Sequence, residues 1–260
     1  MEGKSNVVYL LGSVHVLKSE DYPLAGPIET AFTNSGIAVF ETDMDAMEKP
    51  ETQMKMVGKM RLPDGETLKQ QLSADVYEDF SKRAKESGLP IEMFDSLKPS
   101  MAAMTLEMVE LQKLGVNPHL GVDQYFFHRT AKEGKQVIGL ETIDFQIGMV
   151  TDFSKEEGDL LMKITLKDID KTKKLFGEMI TAWKTGDSSK IETMLNDNLQ
   201  EVPAIFKRMV TDRSRNWMPK IEELLHGDKN AIIIVGAGHL VGKEGVVEML
   251  QKKGYKTTQL

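Results

Sequence analysis

The chain spells nearly the same phrase twice, once near each end: "NVVYLLGSVHVL" at Asn6–Leu17 and "NAIIIVGAGHLV" at Asn230–Val241. Each copy is an asparagine, a run of mostly β-branched or aliphatic residues, then Gly-x-x-His and two more apolar residues. An apolar run with no polar alternation suits a strand covered on both faces, the usual condition of a parallel sheet. Similar runs stand at Ile37–Phe40, Ile91–Phe94 and Gln136–Leu140, with a last short one at Lys256–Leu260. Helical patterns separate them, so the predicted fold is α/β, with a mainly parallel central sheet flanked by helices.

The helices are marked by spacing and punctuation. Leu24, Ile28 and Phe32 share a face before Gly36, and Leu68, Leu72, Val76 and Phe80 recur every fourth residue before Gly88. Pro99–Leu114 and Val122–Lys132 are each followed by a glycine, and Ser154 with Glu157 makes a capping box. No Pro- or Ser-rich linker interrupts the 260 residues, so the expectation is one domain, 1–260, with mainly helical insertions at about 44–115 and 154–225. The 17 methionines, clustered at Met44–Met60 and Met101–Met108, read as flexible core filling, with an adaptable apolar groove as the sharper alternative.

Composition removes several function classes. A net charge of −7 argues against nucleic acid or an anionic membrane as the main partner. No apolar run reaches membrane-spanning length. With no cysteine, there is no disulfide, thiolate ligand or thiol nucleophile. The opening "MEGKSNVVYL" has no apolar signal-peptide core, which fits either a cytoplasmic protein or one whose export signal has been removed.

Ligands of parallel α/β sheets bind beyond the carboxyl ends of the strands. Directly after the apolar runs stand Gly12-Ser13-Val14-His15, Glu41-Thr42-Asp43, Glu141-Thr142 and Gly236-Ala237-Gly238-His239. Two imidazoles with carboxylates suit a divalent ion such as Zn, Mn, Co or Fe(II), with a carboxylate left as general base. Asp43 is better placed to cap a helix than to ligate. The "GAG" at Gly236–Gly238 lacks the third glycine of a dinucleotide fingerprint. His119, His128 and His226 read as structural or surface residues. In "TDRSRNWMPKIEELL", Arg213 or Arg215 could hold a carboxylate or stabilise an oxyanion.

The succession "LLGSVHVLKSEDYPL", "AVFETD", "GVDQYFFHRTAKEGKQVIGLETIDFQ", "RSRNWMPKIEELL" and "AIIIVGAGHLVGKEGVVEMLQKKGY" resembles the TraB/PrgY/GumN family over nearly the whole chain. Its relatives include the Tiki proteins, which are metal-dependent proteases. The resemblance implies the α/β arrangement of erythromycin-esterase-like and ChaN-like proteins. It implies that His15, Glu41 and His239 form a metal or catalytic centre. Asp123, Glu141, Gln146, Arg215 and Asn216 match other recurring positions, and Ser13 lies beside them. The expected function is a metal-dependent, peptidase-like hydrolase acting on a peptide or small molecule. His15 and His239 would be ligands, Glu41 ligand or base, Glu141 a further catalytic carboxylate and Arg215 the electrophilic helper. The alternatives are a metal-free esterase with a histidine base, or a binding protein for peptide or heme. The export signals of bacterial members imply an extracytoplasmic location, periplasmic or lipoprotein-anchored, with a cytoplasmic one as the alternative.

Overall fold

The computed structural model describes residues 1–3, 5–199 and 201–260. The fold is α/β, built on a four-stranded, all-parallel sheet. In chain order, the elements that build the sheet and its edge begin with β1 (Val8–Ser13), α1 (Gly26–Thr33), β2 (Ile37–Thr42), α2 (Val122–Thr130) and β3 (Gln136–Glu141). They continue with α3 (Ser188–Leu199), α4 (Asp212–Leu225), β4 (Ala231–Gly236) and α5 (Val246–Lys252). The strand order is β1-β4-β2-β3, so the first and last strands are neighbours.

Alternation along the strands divides the core in two. Val8, Val39, Ile233 and Val235 pack with Trp217, Ile221 and Leu225 of α4 and with Val246 and Leu250 of α5. The intervening side chains, including Phe40 and Ile234, are equally buried and face the other side, as a period of two requires. There Phe32 of α1 stacks on Phe126 of α2 at 4.5 Å, and Phe40 meets Phe127 edge-on at 5.9 Å. Each fully buried aliphatic or aromatic side chain of this kind contributes about 1.5–3 kcal/mol.

The asparagine that opens each phrase ties the strand entrances together. Asn6 donates from Nδ2 to the carbonyls of Leu224 and Lys229, both at 2.8 Å. Asn230 accepts the Val7 amide at 2.8 Å through Oδ1 and donates to the Asn34 carbonyl at 3.1 Å. The pairing register is Val8 with Ala231 through Ser13 with Gly236. The two phrases are therefore adjacent but offset by one residue, Gly12 lying beside Val235 rather than beside Gly236.

Two of the predicted strands are not strands. Ile91–Phe94, entered through Pro90, is a short 3-10 turn whose Phe94 is fully buried edge-on against Phe80 at 4.9 Å; four apolar residues fill a core in either conformation. Lys256–Leu260 has no regular structure. The helix expected across Leu68–Phe80 is two, Leu68–Gln71 and Ala74–Glu86, because Asp159 Oδ1 accepts both the amide and the hydroxyl of Ser73, at 2.6 and 2.9 Å.

The chain divides into two compact units. The sheet unit is Met1–Met44, Val116–Thr142 and Glu178–Leu260; the helical unit is Asp45–Gly115 and Ile143–Gly177. The first stretch of the helical unit coincides with the insertion expected at 44–115. The stretch expected at 154–225 is divided, since Trp217, Ile221 and Leu225 belong to the core of the sheet unit. The helical unit has its own core around Leu68, Val76, Phe80, Phe94, Leu106 and Met162.

Candidate functional site

All four strands deliver polar residues at their carboxyl ends, within the sheet unit. Glu41 and Thr42 close β2, Glu141 closes β3, and β1 and β4 run into the two Gly-x-x-His turns. The centre of the assembly is Arg213, in the first turn of α4 and only 4% exposed. It donates through Nε and NH2 to Glu141 (2.8–3.1 Å), through NH2 to Glu41 Oε2 (2.5 Å), and through NH1 to the Met209 carbonyl (3.1 Å). Trp217, one helical turn on, donates from its indole to Glu141 Oε1 at 2.9 Å, with Arg213 stacked over its ring at 5.0 Å. Two carboxylates at adjacent strand ends thus share one buried guanidinium, whose planar fork suits this shared pairing.

His239 is built into the same network. Arg213 NH1 lies 3.1 Å from its Nε2, and the Ser214 hydroxyl 2.9 Å from its Nδ1. A guanidinium only donates, so Nε2 accepts and the ring proton sits on Nδ1, from which it reaches Ser214 Oγ. The ring also packs on Trp217 at 4.3 Å. Burial pushes the imidazole down to about 4, and the Arg213 and His15 charges add to that effect. His239 is neutral at physiological pH.

His15 has the opposite surroundings. Its side chain is 63% exposed, and Nδ1 lies 3.1 Å from Asp123 Oδ2. The Val122 amide donates to the Val14 carbonyl at 3.0 Å, which brings the start of α2 against the His15 turn. The approach needs a glycine at Gly121, where a β-carbon would lie 2.4 Å from the His15 carbonyl oxygen. The hydrogen bond to Asp123 raises the imidazole to about 9, with help from the Asp123 and Glu41 charges. Burial of Glu41 favours its neutral form, but Arg213, His239, His15 and the Gly236 amide together hold it down at about 2. That amide donates to Glu41 Oε1 at 2.7 Å.

The three groups converge on the backbone of Gly236. A β-carbon there would lie 3.3 Å from Glu41 Oε1, 3.6 Å from His239 Cδ2 and 3.8 Å from His15 Nε2. His15 therefore turns its free nitrogen into the site while Asp123 holds the other, the arrangement that fixes tautomer and aim.

The expected site residues separate into groups. His15, Glu41, Glu141, His239 and Asp123 come together as described. Ser13 lies at the end of β1, paired with Gly236 in the sheet, and its buried hydroxyl has no hydrogen-bond partner among the described residues. Arg215 does not join them: its side chain is half exposed and NH2 pairs with Glu244 Oε1 at 2.5 Å. Asn216 is exposed on the same helix, and Gln146 lies on the helix Ile143–Thr151 of the other unit. Of the two arginines in "DRSR", Arg213 is the one aimed at the carboxylates. The signal for it was present in the sequence, because Arg213, Trp217, Ile221 and Leu225 recur every fourth residue on one helix face. Ser214 and Trp217 were not foreseen at all.

Imidazole and carboxylate are suitable ligands for a divalent ion, but these groups are not disposed to hold one. His239 points a carbon toward Gly236 and has its Nε2 on a cation, and both Glu41 oxygens accept N–H groups. Among the described residues no group of three His, Asp or Glu side chains is arranged to hold a metal. The central cation of this cluster is Arg213.

The model of the TraB/PrgY/gumN family matches residues 1–259. YbaP of Escherichia coli K12, described as an uncharacterized protein, is 23% identical over 243 residues, covering 94% of this chain and 87% of its own. A protein named as a metalloprotease TIKI homolog, from Amphimedon queenslandica, is 33% identical over 79 residues, 28% of this chain and 16% of its own. No solved structure matches. With these motifs at the strand ends and a family match from end to end, the chain belongs to the TraB/PrgY/gumN family.

Proposed function

We propose that the chain is a peptidase- or esterase-like hydrolase in which His15 moves the proton of the attacking water. The observation that carries this reading is the orientation of His15: Nδ1 is held by Asp123, while Nε2 faces Glu41 and the Gly236 backbone on an accessible surface. In its neutral form, Nε2 takes a proton as water oxygen attacks the substrate carbonyl. The imidazolium, stabilised by Asp123 and by ionised Glu41, then returns that proton to the leaving oxygen or nitrogen as its bond to carbon breaks. One water is consumed, and an acid and an alcohol or amine are released. Arg213 takes no part in proton transfer. It fixes Glu41 and Glu141 and adds to the burial that keeps His239 neutral.

Because only unprotonated His15 serves as base and its pKa is raised, kcat/KM should rise with pH across the neutral range. The test is hydrolysis of p-nitrophenyl esters and of a peptide pool, with and without chelator. The expected result is activity that resists chelation and falls by about 10²–10⁴ in His15→Ala. Asp123→Asn should move the pH limb to lower values, since Asp123 is what raises His15. Undiminished activity in His15→Ala would overturn the proposal.

A second reading, a divalent-ion centre on His15, Glu41 and His239, is favoured by the convergence of these residues beside Gly236 and by the name of the Amphimedon relative. It requires His239 to release Arg213 and turn its Nε2 inward. Activity lost on chelation and restored by Mn, Co or Zn, with about one ion bound per chain, would establish it in place of the first.

A further inference from the structure

Behind the His239 turn, still within the sheet unit, lies a second concavity of about 250 Å³. Its walls come from α3, from the π-helical turn Lys207–Thr211 with the Phe206 that precedes it, and from the loop after β4. Leu195, Phe206, Val210 and Val241 give it an apolar interior, and Leu195 Cδ1 would lie 3.2 Å from a β-carbon on Gly238. Gly238 lies two residues beyond Gly236, so one wall of the pocket and the Gly236 backbone beside His15 Nε2 belong to the same turn.

The pocket is not electrically neutral. Glu192 lines it with its carboxylate alongside Gly242, where a β-carbon would lie 3.2 Å from Oε1, and it makes no ion pair among the described residues. The neighbouring Glu244 is already engaged by Thr211 Oγ1 at 3.1 Å and by Arg215 at 2.5 Å. Lys243 stands at the rim with its side chain in solvent. The volume suits one long side chain, whose methylenes would meet the apolar walls and whose end would reach Glu192. The net charge of −7 also favours approach of a cationic substrate.

We infer that this pocket is a specificity subsite for a basic side chain, lysine- or arginine-like, of the molecule hydrolysed at His15. The inference deepens the hydrolase reading and rests on it for the pocket's role, but its test measures binding alone. N-acetyl-lysine amide and its uncharged near-isostere N-acetyl-norleucine amide would be titrated into the full chain and followed by NMR. Lysine amide should bind about three- to tenfold more tightly, with shifts at Leu195, Val210 and Val241. Glu192→Gln should abolish that preference while leaving norleucine binding in place, and Leu195→Trp should weaken both by filling the cavity.

Equal affinity for the two probes in the unmutated chain would overturn the cationic assignment. Binding unaffected by Leu195→Trp, in a variant with an intact amide spectrum, would overturn the location. Neither outcome depends on whether His15 catalyses anything. Loss of ester hydrolysis in a protein that still prefers lysine amide would instead count against the reaction.

Discussion

The two Gly-x-x-His turns share a spelling and occupy adjacent strands, yet their histidines have opposite fates. His15 is exposed, anchored by a carboxylate and raised to about 9; His239 is buried, bound to a guanidinium and lowered to about 4. Register accounts for part of the divergence. Because β1 and β4 pair one residue out of step with the repeated phrase, equivalent positions of the two copies face opposite sides of the sheet. Neighbours account for the rest: α2 presents Asp123 to one turn, and α4 presents Arg213, Ser214 and Trp217 to the other. A short motif specifies a backbone turn and a ring, while the charge of the ring is set by whichever helix packs beside it.

That contrast can be broken most severely at Arg213. Arg213→Met leaves Glu41 and Glu141 without their shared cation, and urea unfolding should show a loss of about 3–5 kcal/mol. The histidines should then separate by stability. His239→Ala removes the ring from Trp217 and leaves the Arg213 NH1 and Ser214 groups short of a partner, a cost of about 2–3 kcal/mol. His15→Ala, at an exposed site, should cost less than His239→Ala while lowering activity by about 10²–10⁴. Equal losses at both positions would remove the distinction drawn between them.

A smaller and more graded effect comes from pH. His239 titrates below its ordinary value of 6.5, so the folded state binds that proton more weakly than the unfolded chain does. Its contribution is complete above about pH 6.5 and lost as pH falls through 4. Glu41, lowered from 4.5 to about 2, likewise contributes above its unfolded value and loses that contribution between 4.5 and 2. Tm should therefore fall continuously on acidification from about 6.5. Arg213→Met, which removes the chief force lowering Glu41, should flatten the lower part of that decline.

Much of the sheet was readable because buried parallel strands leave uninterrupted apolar runs, as at Ala231–Val235 and Ile37–Phe40. The same criterion misread Ile91–Phe94, where an equally apolar run fills the helical core as a turn. The gathering of Glu41, Glu141 and both histidines at one edge was legible from strand ends alone. Their partners were less so, since "DRSRNW" offers two arginines and only the stripe continuing from Trp217 distinguishes the one that faces inward. A π-helical turn at Lys207–Thr211 leads into α4, and such a turn shifts the register of the residues beyond it. Arg213 is thereby aimed at the carboxylates and Arg215 at Glu244. The resemblance pointed to Arg215-Asn216, and it was the apolar stripe through Trp217, Ile221 and Leu225 that carried the information about Arg213.

The measurement that bears most directly on the opposed histidines is an imidazole nitrogen NMR titration of the full chain, assigned with His15→Ala and His239→Ala. Their surroundings predict that His239 remains a neutral Nδ1–H tautomer from neutral pH down to about 5, while His15 is an imidazolium at pH 7 and loses its proton only on the alkaline side. Asp123→Asn should bring the His15 titration down without moving His239. Two histidines titrating together near 6.5, or an imidazolium at His239 in neutral solution, would contradict the opposed assignment.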